Sequence, residues 1–208
     1  MNNIMFLFIA VGYLIGSIPF AVLISKYKFG KDVRNMGSGN AGATNMARNF
    51  GKKAGLLTLI LDVAKGAIPT AAYITIAASH SQTTALNEMS AFTIAYATGL
   101  GHIFPVFGGF KGGKGVATLL GSMLVVHHQF ALIGLLFFVV ILWLSSYVSL
   151  ASIISALLFS GLVAWQQSFS LPSLLVWGFP ILLIYTHRSN IVRLVQGNEN
   201  KTHLFKKK

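Results

Sequence analysis

The sequence predicts an all-α integral membrane protein of about seven transmembrane helices, with the amino terminus outside and the carboxyl terminus in the cytoplasm. Three observations predict it. Hydrophobic residues make up 54% of the 208-residue chain and charged residues only 10%, with a mean hydropathy of +0.70. That composition leaves too few polar groups to cover a water-soluble globule. Apolar stretches near the ~20 residues needed to cross a bilayer recur along the whole chain, and the basic residues fall almost entirely between alternate stretches.

Taken in order, hydropathy places helices near residues 4–25, 54–79, 90–110, 116–126, 130–148, 150–166 and 173–186. The first, within "MNNIMFLFIAVGYLIGSIPFAVLISKY", lacks a basic start and is too long for a secretory leader, so it reads as a retained helix. The fourth is short, which suits a tilted or re-entrant segment. Breakers and polar residues separate the stretches, as in "KYKFGKDVRNMGSGNAGATNMARNFGKK", "SHSQTTALNE", "KGGKG", "HHQ" and "QQSFSLP". No internal repeat or linker divides the chain, and residues 1–208 read as a single polytopic domain. Cysteine is absent, which excludes disulfides, thiolate metal sites and a cysteine nucleophile.

Alternation of these segments puts 15 of the 16 Lys and Arg on one side, Lys65 being the exception inside the second helix. The basic side is therefore expected to be cytoplasmic. The formal net charge of +12 is accounted for by topology and attraction to anionic lipid, with no nucleic-acid partner implied; Lys206, Lys207 and Lys208 need no further role.

Three polar clusters need more than topology. In "MGSGNAGATNMAR", Gly37, Gly39 and Gly42 alternate with Ser38, Asn40, Thr44 and Asn45, and Arg48 closes the run. Glycines allow N–H groups to converge on an anion, and an arginine fork suits phosphate. Close helix packing also favours small residues, but it requires neither the arginine nor the asparagines. The second cluster, "GHIFPVFGGFKGGKGVAT", offers Gly112, Gly113 and Gly115 at a helix start, with Lys114 as a point charge. It approaches the P-loop pattern through Gly108, Gly113 and Lys114, but Gly115 stands where a magnesium-binding hydroxyl is required and no strand precedes it. A phosphate grip without nucleotide is what remains. His102 is open between a hydrogen-bonded core histidine and a substrate contact.

The third cluster, "HRSNIVRLVQGNENK", places His187, Asn190 and Arg193 at i, i+3 and i+6, roughly on one helix face, with Glu199 and Lys201 beyond. Asp62 and Lys65 lie at i, i+3 inside the second helix and are expected to form a structural ion pair. Ser149 and Ser152 sit near the cytoplasmic ends of their segments, where serines commonly join helices.

The ordered set "GSGNAGATNMAR", "LDVAKG", "GHIFPVFGGFKGGKGVAT", "YVSLASI" and "HRSNIVRLVQGNE", spanning residues 12–201, closely resembles the bacterial acyl-phosphate:glycerol-3-phosphate acyltransferases. The resemblance implies a seven-helix membrane enzyme with a cytoplasmic active site. It catalyses acylation of the 1-hydroxyl of glycerol 3-phosphate at the start of phospholipid synthesis. It also implies substrate roles for Ser38, Asn40 and Arg48, for Gly112 and Lys114, and for His187 and Asn190, with Ser149 or Ser152 beside them. Asn45 and Gly113 are placed with the substrate-binding set by their position in the same motifs. Ser146 stands where many relatives carry a basic residue.

The chemistry agrees with this. Two phosphate-bearing substrates need cations, and Arg48 and Lys114, with Arg193 as a further candidate, stand against four acids in the chain. The nucleophile is the substrate hydroxyl, so Lys114 and Arg48 act by holding phosphate and developing charge. The proton acceptor is open between His187 and a substrate phosphate oxygen. No metal or organic cofactor is implied. No histidine is followed by Asp five positions on, which argues against thioester-using acyltransferases. The alternative from another class is a transporter or channel for a phosphorylated metabolite, but such sites tend to lie at the membrane midplane between repeated halves.

Overall fold

The computed structural model describes residues 2–78, 84–168 and 170–202, so Lys206 to Lys208 and residues 79–83 of the expected break at 79–88 lie outside the described residues. Every regular element among the described residues is helical. The chain divides into two compact units, Met1–Val126 and His127–Lys208.

In the first unit, α1 (Asn2–Gly16) and α2 (Phe20–Phe29) together form the first apolar span, from Ile4 to Phe29. The break at residues 17–19 has a local cause: Pro19 has no N–H and disfavours helix at the residue before it. A short 3-10 turn, Val33–Asn35, follows, capped by the Asp32 carboxylate, which accepts from the Arg34 N–H at 3.0 Å. Next come α3 (Ala43–Phe50) and the long α4 (Lys52–Ala78). The expected long loop over residues 26–53 is thus largely structured.

Helix α5 (Thr84–Ile103) stops short of the expected residue 110, because Pro105 cannot continue it and a 3-10 turn at Val106–Gly108 takes over. Helix α6 (Val116–Val126) packs on α4, where Ser122 donates to the Gly66 carbonyl at 3.0 Å and Thr70 donates to Ser122 at 3.1 Å. At 11 residues α6 is about 16 Å long, well short of a ~30 Å hydrocarbon core.

The second unit contains α7 (His128–Ser145), α8 (Val148–Gln166), α9 (Leu171–Val176), α10 (Gly178–Thr186) and α11 (Arg188–Val195). Its core includes Phe159 and Phe179, edge to face at 6.3 Å, with Val163, Val176 and Leu183. The single helix expected over 173–186 is divided near Trp177. Pro180 has no N–H for the Val176 carbonyl four residues back, and the Ser160 hydroxyl donates to that carbonyl instead, at 3.0 Å.

Among the described residues, five stretches are long and apolar enough to cross a membrane: Ile4–Phe29, Lys52–Ala77, Glu88–Gly108, His128–Ser145 and Val148–Gln166. Residues 116–126 and 173–186 form shorter apolar helices.

Candidate active site

The first cluster is organised from beneath by Asn45. Its side chain is buried at 1% exposure, and the amide nitrogen donates to the carbonyls of Val33, Met36 and Asn40 at 3.1, 2.9 and 3.1 Å. Its oxygen accepts from the Ser38 N–H at 3.1 Å and from Asn49 at 2.9 Å. Expected as a substrate contact, Asn45 instead spends both amide hydrogens and its oxygen on the loop itself. The turn that it fixes needs left-handed residues, and Gly37 and Gly39 supply them at φ 56° and 72°. Ser38 is left on the exposed side of this turn, Asn40 is half-buried, and Arg48 projects from the exposed face of α3.

The second cluster departs from expectation at its glycines. Gly112 and Gly113 do not turn their N–H groups toward an anion. They donate to the carbonyls of Ile103 and His102, at 3.2 and 3.1 Å, and fasten the loop to the end of α5. Glycine is required there by crowding: a Cβ on Gly113 would collide with His102 Nε2 and come within 2.9 Å of the Ala41 carbonyl oxygen. That proximity brings the second cluster against the first. Lys114 is half-buried just before α6, whose first N–H groups have no partner within the helix. With no strand before it and no hydroxyl after it, the loop is not a P-loop.

A residue outside the expected set clamps these loops together. The Arg34 guanidinium donates to the Gly108 carbonyl at 2.6 Å and to the Lys111 carbonyl at 3.4 Å, while Asp32 engages its other nitrogens at 2.8 to 3.3 Å. The Arg34 hydrogen bonds hold the Asp32 carboxyl far below the usual carboxylate range, against the opposing effect of burial. Lys26 adds a contact at 3.3 Å. The sequence signal was the Asp-x-Arg spacing in "GKDVRN", which was read only as basic topology.

The expected pair in α4 is present: Lys65 Nζ lies 2.9 Å from Asp62 Oδ1, with both side chains buried. Lys65 also donates to the Ile18 carbonyl at 3.0 Å, in the break between α1 and α2. His102 proves to be a buried histidine, at 5% exposure, with Nδ1 3.5 Å from Asp62 Oδ1.

In the second unit the third cluster is gathered around Glu199. Its Oε1 accepts from Asn190 at 2.6 Å and from the Ser149 hydroxyl at 3.1 Å, and its Oε2 from Arg193 Nε at 2.8 Å. Burial pushes the Glu199 carboxyl up, but the hydrogen bonds from Asn190, Arg193 and Ser149 outweigh it and hold the carboxyl below its ordinary value. Asn190 and Arg193 do share a face of α11. Arg193, however, is committed to Glu199 through Nε and is not simply a phosphate cation. Lys201 lies 5.8 Å from the centre of the Tyr147 ring, and the Thr202 N–H donates to the Ser146 carbonyl at 2.8 Å, securing the end of this strap.

His187 sits at the junction of α10 and α11 with 2% exposure, and its Nδ1 is 2.8 Å from the Leu183 carbonyl. A carbonyl only accepts, so Nδ1 carries the proton and the lone pair of the neutral ring is on Nε2. Ser152 donates to the Val148 carbonyl at 2.8 Å, the back-bonding of a helix-packing serine, so of the two candidate serines Ser149 is the one joined to the cluster.

A family model described as glycerol-3-phosphate acyltransferase matches residues 6–197, a range that takes in the first two clusters and the third as far as Gly197. A glycerol-3-phosphate acyltransferase of Endomicrobium trichonymphae is 41% identical over 205 residues, covering 97% of this chain and 98% of the relative. One from Neisseria meningitidis serogroup C is 40% identical over 196 residues, covering 93% and 94%. Among solved structures, the integral membrane glycerol 3-phosphate acyltransferase PlsY in its glycerol 3-phosphate form superposes with a TM-score of 0.86 at 37% identity, covering 97% of this chain and 99% of that one. Its lysophosphatidic acid form gives 0.81 at 36%, covering 95% and 94%.

Proposed function

Starting from the fact that the chain belongs to the glycerol-3-phosphate acyltransferase family, we propose that it transfers a fatty acyl group from acyl phosphate to the 1-hydroxyl of glycerol 3-phosphate. The products are 1-acyl-glycerol 3-phosphate and inorganic phosphate. Membership in an acyltransferase family with an integral membrane neighbour displaces the transporter alternative.

The reaction is a direct displacement. The substrate hydroxyl oxygen attacks the acyl carbonyl carbon, the bond from that carbon to the phosphate oxygen breaks, and phosphate leaves with the electron pair. Phosphate is a good leaving group and needs little protonation, so the protein's task is to hold two anions together and offset their repulsion. Lys114 and Arg48 are assigned that task, with Ser38 and Asn40 as hydrogen-bonding groups at the turn beneath which Asn45 lies. His187 and Asn190 are assigned to the substrates through the sequence resemblance. The hydroxyl proton passes to His187 Nε2 or to a substrate phosphate oxygen.

The observation that carries the reading is the disposition of charge. Asp32, Asp62 and Glu199, three of the chain's four acids, are each engaged by a cation outside the Arg48 and Lys114 pair: Arg34 and Lys26, Lys65, and Arg193. That leaves a basic excess suited to two dianionic substrates. The charge asymmetry along the sequence further supports seven crossings, α6 and the α9 and α10 pair included, with the amino terminus outside and the site facing the cytoplasm at the inner membrane.

The test is acyl transfer from acyl phosphate by purified protein in detergent, where no sealed compartment exists. Lys114→Ala is expected to lose activity by about a hundredfold or more, as removal of a transition-state charge partner does; near-normal turnover would sink the phosphate-holding role. Normal turnover in His187→Gln would assign the proton to the substrate phosphate.

A further inference from the structure

We infer that His102, backed by the buried Asp62 and Lys65 pair, is a positioning residue that sets the Gly113 and Lys114 segment for phosphate. The inference rests on the reading of Lys114 given above.

The imidazole is held between two surfaces. Its Nδ1 edge faces Asp62 Oδ1 at 3.5 Å, and its Nε2 edge lies where a side chain on Gly113 would otherwise be. The His102 backbone participates as well, because its carbonyl accepts the Gly113 N–H at 3.1 Å. One residue thus touches Gly113 through both its ring and its main chain, and Gly113 is bonded directly to Lys114. The Ala41 carbonyl of the first cluster also closes on Gly113, 2.9 Å from where its Cβ would stand. The position of the lysine's own backbone is therefore set by His102 beneath it and by the turn beside it.

Behind the ring, Asp62 is fixed by Lys65 at 2.9 Å, and Lys65 is fixed in turn by the Ile18 carbonyl at 3.0 Å. Lys65 also stands 5.6 Å from the centre of the Phe20 ring. The sequence of contacts runs from the proline break of the first span, through two buried charges on α4, to the end of α5 and into the loop. If cohesion alone were at stake, an apolar set of the same volume would serve as well or better, since burying two ions costs more than packing hydrocarbon. What the polar set supplies is a defined orientation for the His102 ring, and misplacement of a substrate-holding group by about 1 Å is enough to cost about a hundredfold in rate.

A double-mutant cycle between His102 and Lys114 tests the inference, read as kcat/KM for glycerol 3-phosphate at saturating acyl phosphate, with unfolding temperature measured alongside. His102→Leu in the otherwise natural chain is expected to lower kcat/KM by at least about tenfold. Added to Lys114→Ala it is expected to cost less than about twofold more, because the group it positions is already gone. Equal losses in the two backgrounds, with Lys114→Ala itself impaired, would overturn the positioning role and leave the phosphate-holding role intact. Lys114→Ala with near-normal activity would overturn both. Should His102→Leu not fold, His102→Gln takes its place in the cycle; it is expected to retain part of the activity and to show the same non-additivity, and an additive loss would again refute the inference.

Discussion

Substitution of Asn45 separates a residue that builds the site from one that touches substrate. The two amide hydrogens serve three carbonyls, those of Val33, Met36 and Asn40, and each of these carbonyls has a second, backbone donor: Met36 N–H at 3.2 Å, Gly39 N–H at 3.0 Å and Gly42 N–H at 3.0 Å. Asn45→Leu therefore costs the carbonyls only the net value of a hydrogen bond, while the Ser38 N–H loses the side-chain oxygen it bonds. Two net hydrogen bonds and one orphaned donor amount to about 2–6 kcal/mol. Asn45→Asp is expected to be worse despite its closer shape, because it directs a carboxylate oxygen at three carbonyl oxygens in a buried site. Unfolding temperature in detergent should fall in the order natural chain, Asn45→Leu, Asn45→Asp, and acyl transfer should fall in the same order. An Asn45→Asp protein as stable as Asn45→Leu would refute the hub, as would a variant whose only defect is a raised KM.

Further outcomes follow from the acids and serines. Asp32 has a folded-state pKa below its unfolded value, so the stability it adds through Arg34 is complete above the ordinary carboxylate range near ~4 and is lost as pH falls toward the depressed folded value. Asp32→Asn should flatten that acid limb of the unfolding temperature against pH; an unchanged limb would exclude the Arg34 clamp as its source. In the second unit, Ser152→Ala is expected to leave activity within about twofold, since its hydroxyl serves only the helix backbone in the contacts it makes, whereas Ser149→Ala removes a donor from Glu199 and should cost about 1–2 kcal/mol of stability. Equal behaviour of the two serines would contradict the assignment of Ser149 to the strap.

The helices were legible where the pattern was apolar and long: α4, α7 and α8 fall within a few residues of expectation. Their errors lie at prolines. The sequence shows Pro19, Pro105 and Pro180 plainly, but hydropathy does not sense a missing N–H, so the first span, the third expected helix (90–110) and the last apolar stretch each read as one piece. At the site, composition identified the clusters without dividing labour inside them. Asn40 and Asn45 are chemically alike, and only the fold makes one half-buried beside the turn and the other its buried hub. The glycines of the second cluster were likewise expected to offer N–H groups; that Gly112 and Gly113 are instead crowded by His102 and Pro105 is a long-range fact no local pattern encodes.

The role of the acids is the point where sequence chemistry was right in principle and incomplete in consequence. A carboxylate facing two phosphate-bearing substrates would repel them, and that argument accounts for the scarcity of acids. It does not account for the acids that are present. Asp32 orients Arg34, whose remaining donor holds the loop leading to Lys114; Asp62 lies behind His102, which abuts Gly113; Glu199 draws Asn190, Arg193 and Ser149 together. In each case the carboxylate is covered by its own cation, so it contributes directional acceptors to the framework while presenting little negative charge beyond it. On the proposed function, anion binding then depends on acids placed one step away from the anion. Neutralising such an acid is expected to weaken phosphate handling through lost geometry, even though the local charge becomes more favourable. That sign is opposite to what electrostatics alone predicts, and measuring KM for glycerol 3-phosphate in Asp62→Asn distinguishes the two: a raised KM supports the framework role, and a lowered KM refutes it.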